Sequence, residues 1–211
     1  MLLHQGQYVS LIAAAIAAGN QPDIFFETGS FPSALSVMQP LDAAKINYED
    51  PIWRQSTIKN STIDGHPYFI DAVSNVWSEM DICVYNKKIF EDNNITTPQE
   101  YYDAGKWTFE AFRECAKQVS ALGKGYLGAQ VRGNVALAAA GCDIVSYKDG
   151  KFKTNIDNHL YDVMTFLAQM RADGYIKQGL EEFTDGKTGM ALTNCFGLKR
   201  TGFFSTINPD H

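Results

Sequence analysis

Apolar residues recur at helical spacing near the start of the chain. Tyr8, Leu11, Ile12, Ala15 and Ile16 share one side of a predicted helix, Gly19-Asn20 can close it in left-handed backbone, and Pro22 prevents its continuation. The burst Asp23-Ile24-Phe25-Phe26-Glu27, followed by Thr28-Gly29-Ser30, predicts a buried strand that opens into a polar loop. Phe31 to Asp42 predicts a loop and a short helix stopped at Pro40. An Asp64-Gly65 turn then feeds a predicted Tyr68-Phe69-Ile70 strand, and Ile82 to Tyr85 is a second β-rich run. Between them Asp71 to Glu79 is polar, with a single tryptophan, and has the composition of a crossover rather than of core.

The second half has stronger periodicity. Thr108 can cap a helix whose stripe is Phe112, Cys115, Ala116, Val119 and Leu122 and whose end is Gly123. Asp149-Gly150 predicts the turn of a hairpin, because both residues tolerate left-handed backbone. A further amphipathic helix follows, with Leu160, Val163, Met164 and Leu167 inward and Gly174 as its cap. Helices interspersed with short strands indicate an α/β fold.

Composition narrows the partners. The 211 residues are 45% hydrophobic, which suits one large or two small folded domains. The net charge is -6 and the 18 Lys and Arg residues are scattered, so no basic stripe offers itself to a phosphate backbone, and nucleic acid is not expected as a partner. Cys83, Cys115, Cys142 and Cys195 form no Cys-x-x-Cys; they read as free buried thiols, with one disulfide as the alternative. His4, His66, His159 and His211 never pair at helical metal spacing, so neither a metal site nor any cofactor is expected.

Several familiar chemistries fail on inspection. The Gly-Lys-Thr of "DGKTGM" would need glycine at position 181, which is Glu181, and Glu181-Glu182 would repel phosphate. Ser30 sits in no nucleophile elbow, and no two carboxylates are placed as acid and base. The run Leu11 to Ala18, with Ala15-Ile16-Ala17, has the look of a signal-peptide core. No Lys or Arg precedes Lys45, however, and the run is too short to span a bilayer, so it reads as folded helix.

Taken in order, the segments resemble the extracellular solute-binding proteins of sugar ABC transporters, the group related to maltose-binding protein. "YVSLIAAAIAAGNQPDIFF" resembles that family's early helix and strand, and "IDGHPYFIDAVSNVWSEMDICVYNKKIFEDNNITTP" its central block with the hinge crossing. "GKWTFEAFRECAKQV" resembles its tryptophan-led helix, while "AAAGCDIVSYKDGKF" and "FTDGKTGMALTNCFG" resemble its later hairpin and Phe-x-x-Gly-Lys-x-x-Met strand.

The resemblance implies a periplasmic-binding-protein-like (type II) two-lobed α/β fold, truncated at both ends. Residues 1–72 would be a partial first lobe and 73–211 a nearly complete second one. It implies a non-enzymatic role: a sugar or oligosaccharide is trapped between lobes and delivered to membrane permease subunits by an extracytoplasmic protein, cell-surface lipoprotein or periplasmic. The ligand groups it implies are Glu27, Thr28 and Ser30 at the first strand exit, Asp71, Asn75 and Trp77 at the crossing, and Arg132 and Phe196 in the second lobe. Each has a plainer alternative: Glu27 a solvated strand end, Trp77 hinge packing, Arg132 a surface ion pair, Phe196 core. Relatives carry a tryptophan near the position of Phe196, so long oligosaccharides are expected to bind differently here. A truncated first lobe would leave an open sheet edge, so self-association is also expected. A carbohydrate-active enzyme and a ligand-sensing adaptor are the alternative functions.

Overall fold

The computed structural model describes residues 5–25, 32–74, 81–123, 125–179 and 186–194. The chain divides into two compact units, Met1–Ser74 and Asn75–His211.

The first unit opens with α1 (Gln5–Ala17). As expected, it ends at Gly19 in left-handed backbone (φ 75°), with the Asn20 amide bonded to the Ala15 carbonyl at 2.9 Å. Its inner side is narrower than the periodicity predicts: Ile12 is buried, but Leu11 and Ile16 are exposed. The buried strand expected from Asp23 is not formed over 23–25, where Ile24 is 86% exposed. Ile24 and Phe25 become a strand only where a neighbour pairs with them, and no strand lies beside them among the described residues.

Two 3₁₀ turns (Ser33–Ser36 and Leu41–Ala43) lead to α2 (Gln55–Asn60) and a minimal hairpin, β1 (Thr62–Ile63) with β2 (His66–Pro67). The turn is the Asp64-Gly65 pair, with φ of 51° and 85°. The strand predicted over Tyr68-Phe69-Ile70 is absent. The Tyr68 amide still bonds to the Ser61 carbonyl, but the facing chain before Ser61 is α2, so the ladder has no strand to continue on and the chain leaves the hairpin. It then runs antiparallel to Ile52–Arg54, with a bridge from Trp53 to Ala72 and a 2.7 Å bond from the Arg54 amide to the Asp71 carbonyl.

The second unit is built on a four-stranded sheet. In chain order its elements are β3 (Asp81–Tyr85), α3 (Lys87–Asp92), α4 (Pro98–Asp103), α5 (Phe109–Ala121), β4 (Leu127–Val131) and α6 (Gly133–Ala139). The hairpin β5 (Val145–Lys148) and β6 (Lys151–Thr154), α7 (Asn158–Ala172), β7 (Ile176–Gln178) and β8 (Thr188–Asn194) complete it. The strand order is β3-β8-β4-β7, with β8, β4 and β7 parallel and β3 antiparallel to β8. Strand β4 is buried along its whole length, as suits a central strand flanked by parallel neighbours.

Helix α5 bears out its sequence pattern. Thr108 accepts a bond from the Ala111 amide, Phe112, Cys115, Ala116 and Val119 are buried, and Gly123 follows with φ 71°. These side chains join Phe90, Ala129, Val131, Met170 and Met190 in one core. The helix lies unusually close to the sheet: a Cβ on Gly128 would meet the Ala116 carbonyl oxygen, and one on Gly189 the Val119 methyls. The hairpin turn at Asp149-Gly150 also forms, with φ of 54° and 74°. In α7, Leu160 and Met170 are buried, but Met164 is 54% exposed rather than inward. The inner stripe is rotated toward Phe166, whose ring meets Phe109 edge-on and carries the Arg113 guanidinium 4.1 Å from its centroid.

Candidate functional site

Parallel strands end together, and their carboxyl ends are where an open α/β sheet offers ligand groups, because the chain there leaves the ladder into loops and helices. In the second unit those ends belong to β8, β4 and β7, and the candidate groups stand at the first two. Arg132 follows β4 directly and precedes α6; its amide bonds to the Leu192 carbonyl at 3.0 Å, which fixes its backbone to the neighbouring strand. Its Nη1 donates to Oδ1 of Asn194, the last residue of β8, at 2.9 Å. Asp81, the first residue of β3, is the register partner of Asn194. The sheet edge thus presents a guanidinium, an amide and a carboxylate on three adjacent strands. Both Arg132 and Asn194 are half-buried, whereas Asp81 is exposed.

Two residues before Arg132, on the same side of the pleat, Gln130 is 1% exposed and its Oε1 has no hydrogen-bond partner. Two residues before Asn194 is Leu192, which lines a cavity of about 290 Å³ together with Cys83, Trp107, Thr108, Phe109, Phe112 and Ala139. Leu192 and Cys83 are register partners, so this cavity starts roughly 7 Å from the Asn194–Asp81 pair at the usual rise of a strand. Its wall is aromatic and its polar inventory small. The Thr108 hydroxyl is already engaged as the α5 cap. The Cys83 thiol is pushed up to about 12, by burial first and by the neighbouring Cys115 second, so it stays protonated and is a poor nucleophile. Stacking surface and hydrogen-bonding groups therefore lie side by side, the combination a sugar's ring faces and hydroxyls need.

Of the residues proposed from the sequence, Glu27, Thr28, Ser30, Asn75, Trp77 and Phe196 lie outside the described residues. Arg132 stands at the strand edge, paired with an amide rather than with a surface carboxylate. Asp71 is committed to its own unit: its Oδ2 receives the Arg54 Nε at 3.2 Å, in a pair that is largely shielded from solvent. Asn194, Gln130 and the Trp107–Phe109 wall were missed from the sequence. Gln130 is the one with a local signal, a long amide inside the apolar run Leu127–Val131.

The remaining candidates are inert or local. His66 is exposed and 2.8 Å from Asp42, and His159 bonds the Ala140 carbonyl from an exposed position. Cys83, Cys115 and Cys142 are free; only Cys115 is fully buried, contrary to the expectation of uniformly buried thiols. Among the described residues no cluster of His, Cys, Asp or Glu could hold a metal ion, and no helix is long and apolar enough to cross a membrane. Thr188, from the rejected phosphate-loop match, is buried at the start of β8.

The α/β fold defined by these elements is one shared with solved structures of other proteins. The chain is similar to the galacto-N-biose-/lacto-N-biose I-binding protein of an ABC transporter from Bifidobacterium longum, solved with lacto-N-biose, at 14% identity and a TM-score of 0.63 over 97% of this chain. It is also similar to a structure described under xylan utilization by Caldanaerobius polysaccharolyticus, at 18% identity and a TM-score of 0.54 over 93% of the chain. The chain spans about half the length of each, 52% and 54%. No protein-family model and no curated protein matches it.

Proposed function

We propose that the chain is the sugar-capturing part of an ABC importer's substrate-binding protein, with no catalytic step of its own. The observation that carries this reading is the Arg132–Asn194 pair, held at the carboxyl ends of adjacent parallel strands beside an aromatic-lined cavity. The fold supports it, since one similar protein is a sugar-binding component of an ABC transporter. In this reading residues 1–72 contribute part of one lobe and 73–211 most of the other. Glu27, Thr28, Ser30, Asn75, Trp77 and Phe196 add ligand contacts, and the partner is a membrane permease served from outside the cytoplasm. Asp71 acts by holding Arg54 and with it the Ile52–Arg54 segment, rather than as a ligand acceptor.

Titration calorimetry of the 211-residue chain against mono- and oligosaccharides tests the reading. Binding that falls at least tenfold in Arg132→Ala and Asn194→Ala, with circular dichroism unchanged, is the expected result. Sugar turnover by the chain, or affinity unaffected by both substitutions, would refute it.

A further inference from the structure

An arginine that is half-buried has normally found an anion. Arg54 has: its guanidinium lies against Asp71. Arg113 is compensated differently, by the face of Phe166. Arg132 has neither. Its side-chain partner is the neutral amide oxygen of Asn194, and among the described residues no carboxylate lies within 4.0 Å of it. A guanidinium carries five N–H donors in a planar fork, so the single bond to Asn194 leaves most of them for a second group. The groups that match this fork in charge and geometry are a carboxylate and a phosphate, each accepting two parallel bonds, and the neighbouring Asp81 charge opposes the doubly charged phosphate more strongly.

We propose that this edge selects acidic sugars, ligands bearing a uronate-type carboxylate, over their neutral counterparts. The inference rests on the sugar-binding reading above and specifies its ligand class. Asn194 then acts as the orienter, holding one guanidinium nitrogen so that the remaining fork faces the ligand in fixed geometry. Asp81, the register partner of Asn194, is the fixed charge that opposes such a ligand; it is exposed, so water and salt weaken its effect. The aromatic-lined cavity two residues along β8 gives the apolar ring faces a place to lie while the carboxylate is held at the strand ends.

The test is calorimetric titration of the 211-residue chain with matched pairs that differ only at C6, galacturonate against galactose disaccharides and glucuronate against glucose disaccharides, at 0.05 and 0.5 M NaCl. The expected result is an acidic member bound at least tenfold more tightly than its neutral partner at low salt, with the preference shrinking at high salt. Arg132→Gln should abolish the preference and Arg132→Lys keep part of it. Asp81→Asn, which removes the opposing charge, should raise the acidic-over-neutral preference about two- to fivefold at low salt. Neutral members bound as well as or better than acidic ones would overturn the inference while leaving sugar binding intact. No binding by any member would overturn both.

Discussion

Replacing Gly128 by alanine should damage the second unit more than any other glycine-to-alanine change in its sheet. A Cβ built there would collide with the Ala116 carbonyl oxygen and lie 2.6 Å from the Tyr175 carbonyl oxygen. Carbon and oxygen ordinarily approach no closer than about 3.3 Å. The new methyl would have to push α5 by about 1 Å on one side and the backbone entering β7 on the other. Neither obstacle is a side chain that could swing away. Overpacking of a core costs about 1–3 kcal/mol, and two backbone obstacles place this site at the top of that range. Alanine's restriction of the unfolded chain returns roughly 0.4–1 kcal/mol. A net loss of about 2–3 kcal/mol follows, roughly 5–10 °C in melting temperature for a chain of this size.

Two other glycines make the experiment internally controlled. At Gly189 the new atom would meet the Val119 methyls at 2.8 and 3.0 Å and the Gly128 carbonyl oxygen at 2.9 Å. The valine is stiff at χ1 in a helix, so Gly189→Ala should cost about 1–2 kcal/mol. At Gly133, the first residue of α6, nothing lies within 4 Å, and alanine's helix preference should leave stability unchanged or raise it by up to about 1 kcal/mol. Thermal melts followed by circular dichroism give the ranking. A Gly128→Ala protein melting within 2 °C of the parent, or below Gly189→Ala in cost, would refute the close-packing argument.

Thr108→Ala removes the hydroxyl that accepts from the Ala111 amide and should lower stability by about 1 kcal/mol in urea unfolding, with Thr108→Ser restoring most of it. The Cys83 thiol is raised to about 12 in the folded chain, so its contribution is fully present below the unfolded thiol's range near 9 and is lost as pH rises toward 12. Unfolding free energy measured between pH 8 and 10.5 should therefore decline, by up to about 1.4 kcal/mol per pH unit for this group, and Cys83→Ala should flatten the decline; an identical slope in the variant would refute the assignment.

What the sequence revealed depended on how far each element could be specified by its own residues. Helix α5 carries its cap, stripe and stop within sixteen positions, and the β5–β6 hairpin carries both left-handed residues at its turn, so both were legible. Ile24 and Phe69 are equally apolar, but a strand also needs a partner, and the chain facing Tyr68–Ile70 is not a strand but the end of α2. In α7 the spacing allowed several neighbouring stripes, and the contacts of Phe166 with Phe109 and Arg113, from another helix, decided among them. The site divides the same way. Arg132 was singled out only through the family resemblance, as the residue before an alanine-rich helix, and its partner Asn194 is 62 positions away and is brought to it by the parallel pairing of β4 with β8. Trp107 announced a helix; that it also walls a cavity depends on Leu192 and Cys83 arriving beneath it.

The close approach of helix to sheet also bears on binding. Strand β4 is held at one end by the packing of Gly128 beneath Ala116, with the Gly128 amide bonded to the Ser120 hydroxyl at 3.0 Å, and at the other by the bond from the Arg132 amide to Leu192. Only three residues separate these anchors, so a shift at Gly128 travels along a stiff, fully buried strand to the guanidinium. A long side chain loses rotamer freedom when it binds, and the Asn194 bond lessens that loss by fixing its direction beforehand. Displacement by about 1 Å would break the alignment of Nη1 with Oδ1, since a bond stretched toward 4 Å contributes little. If the chain binds sugar as proposed, Gly128→Ala should weaken that binding several-fold although residue 128 lies four positions from Arg132, and Gly133→Ala, next to Arg132 but unobstructed, should not. Equal affinities in calorimetric titration of the two folded variants would show that the strand edge tolerates movement of its support, and that Arg132 is positioned by the local loop instead.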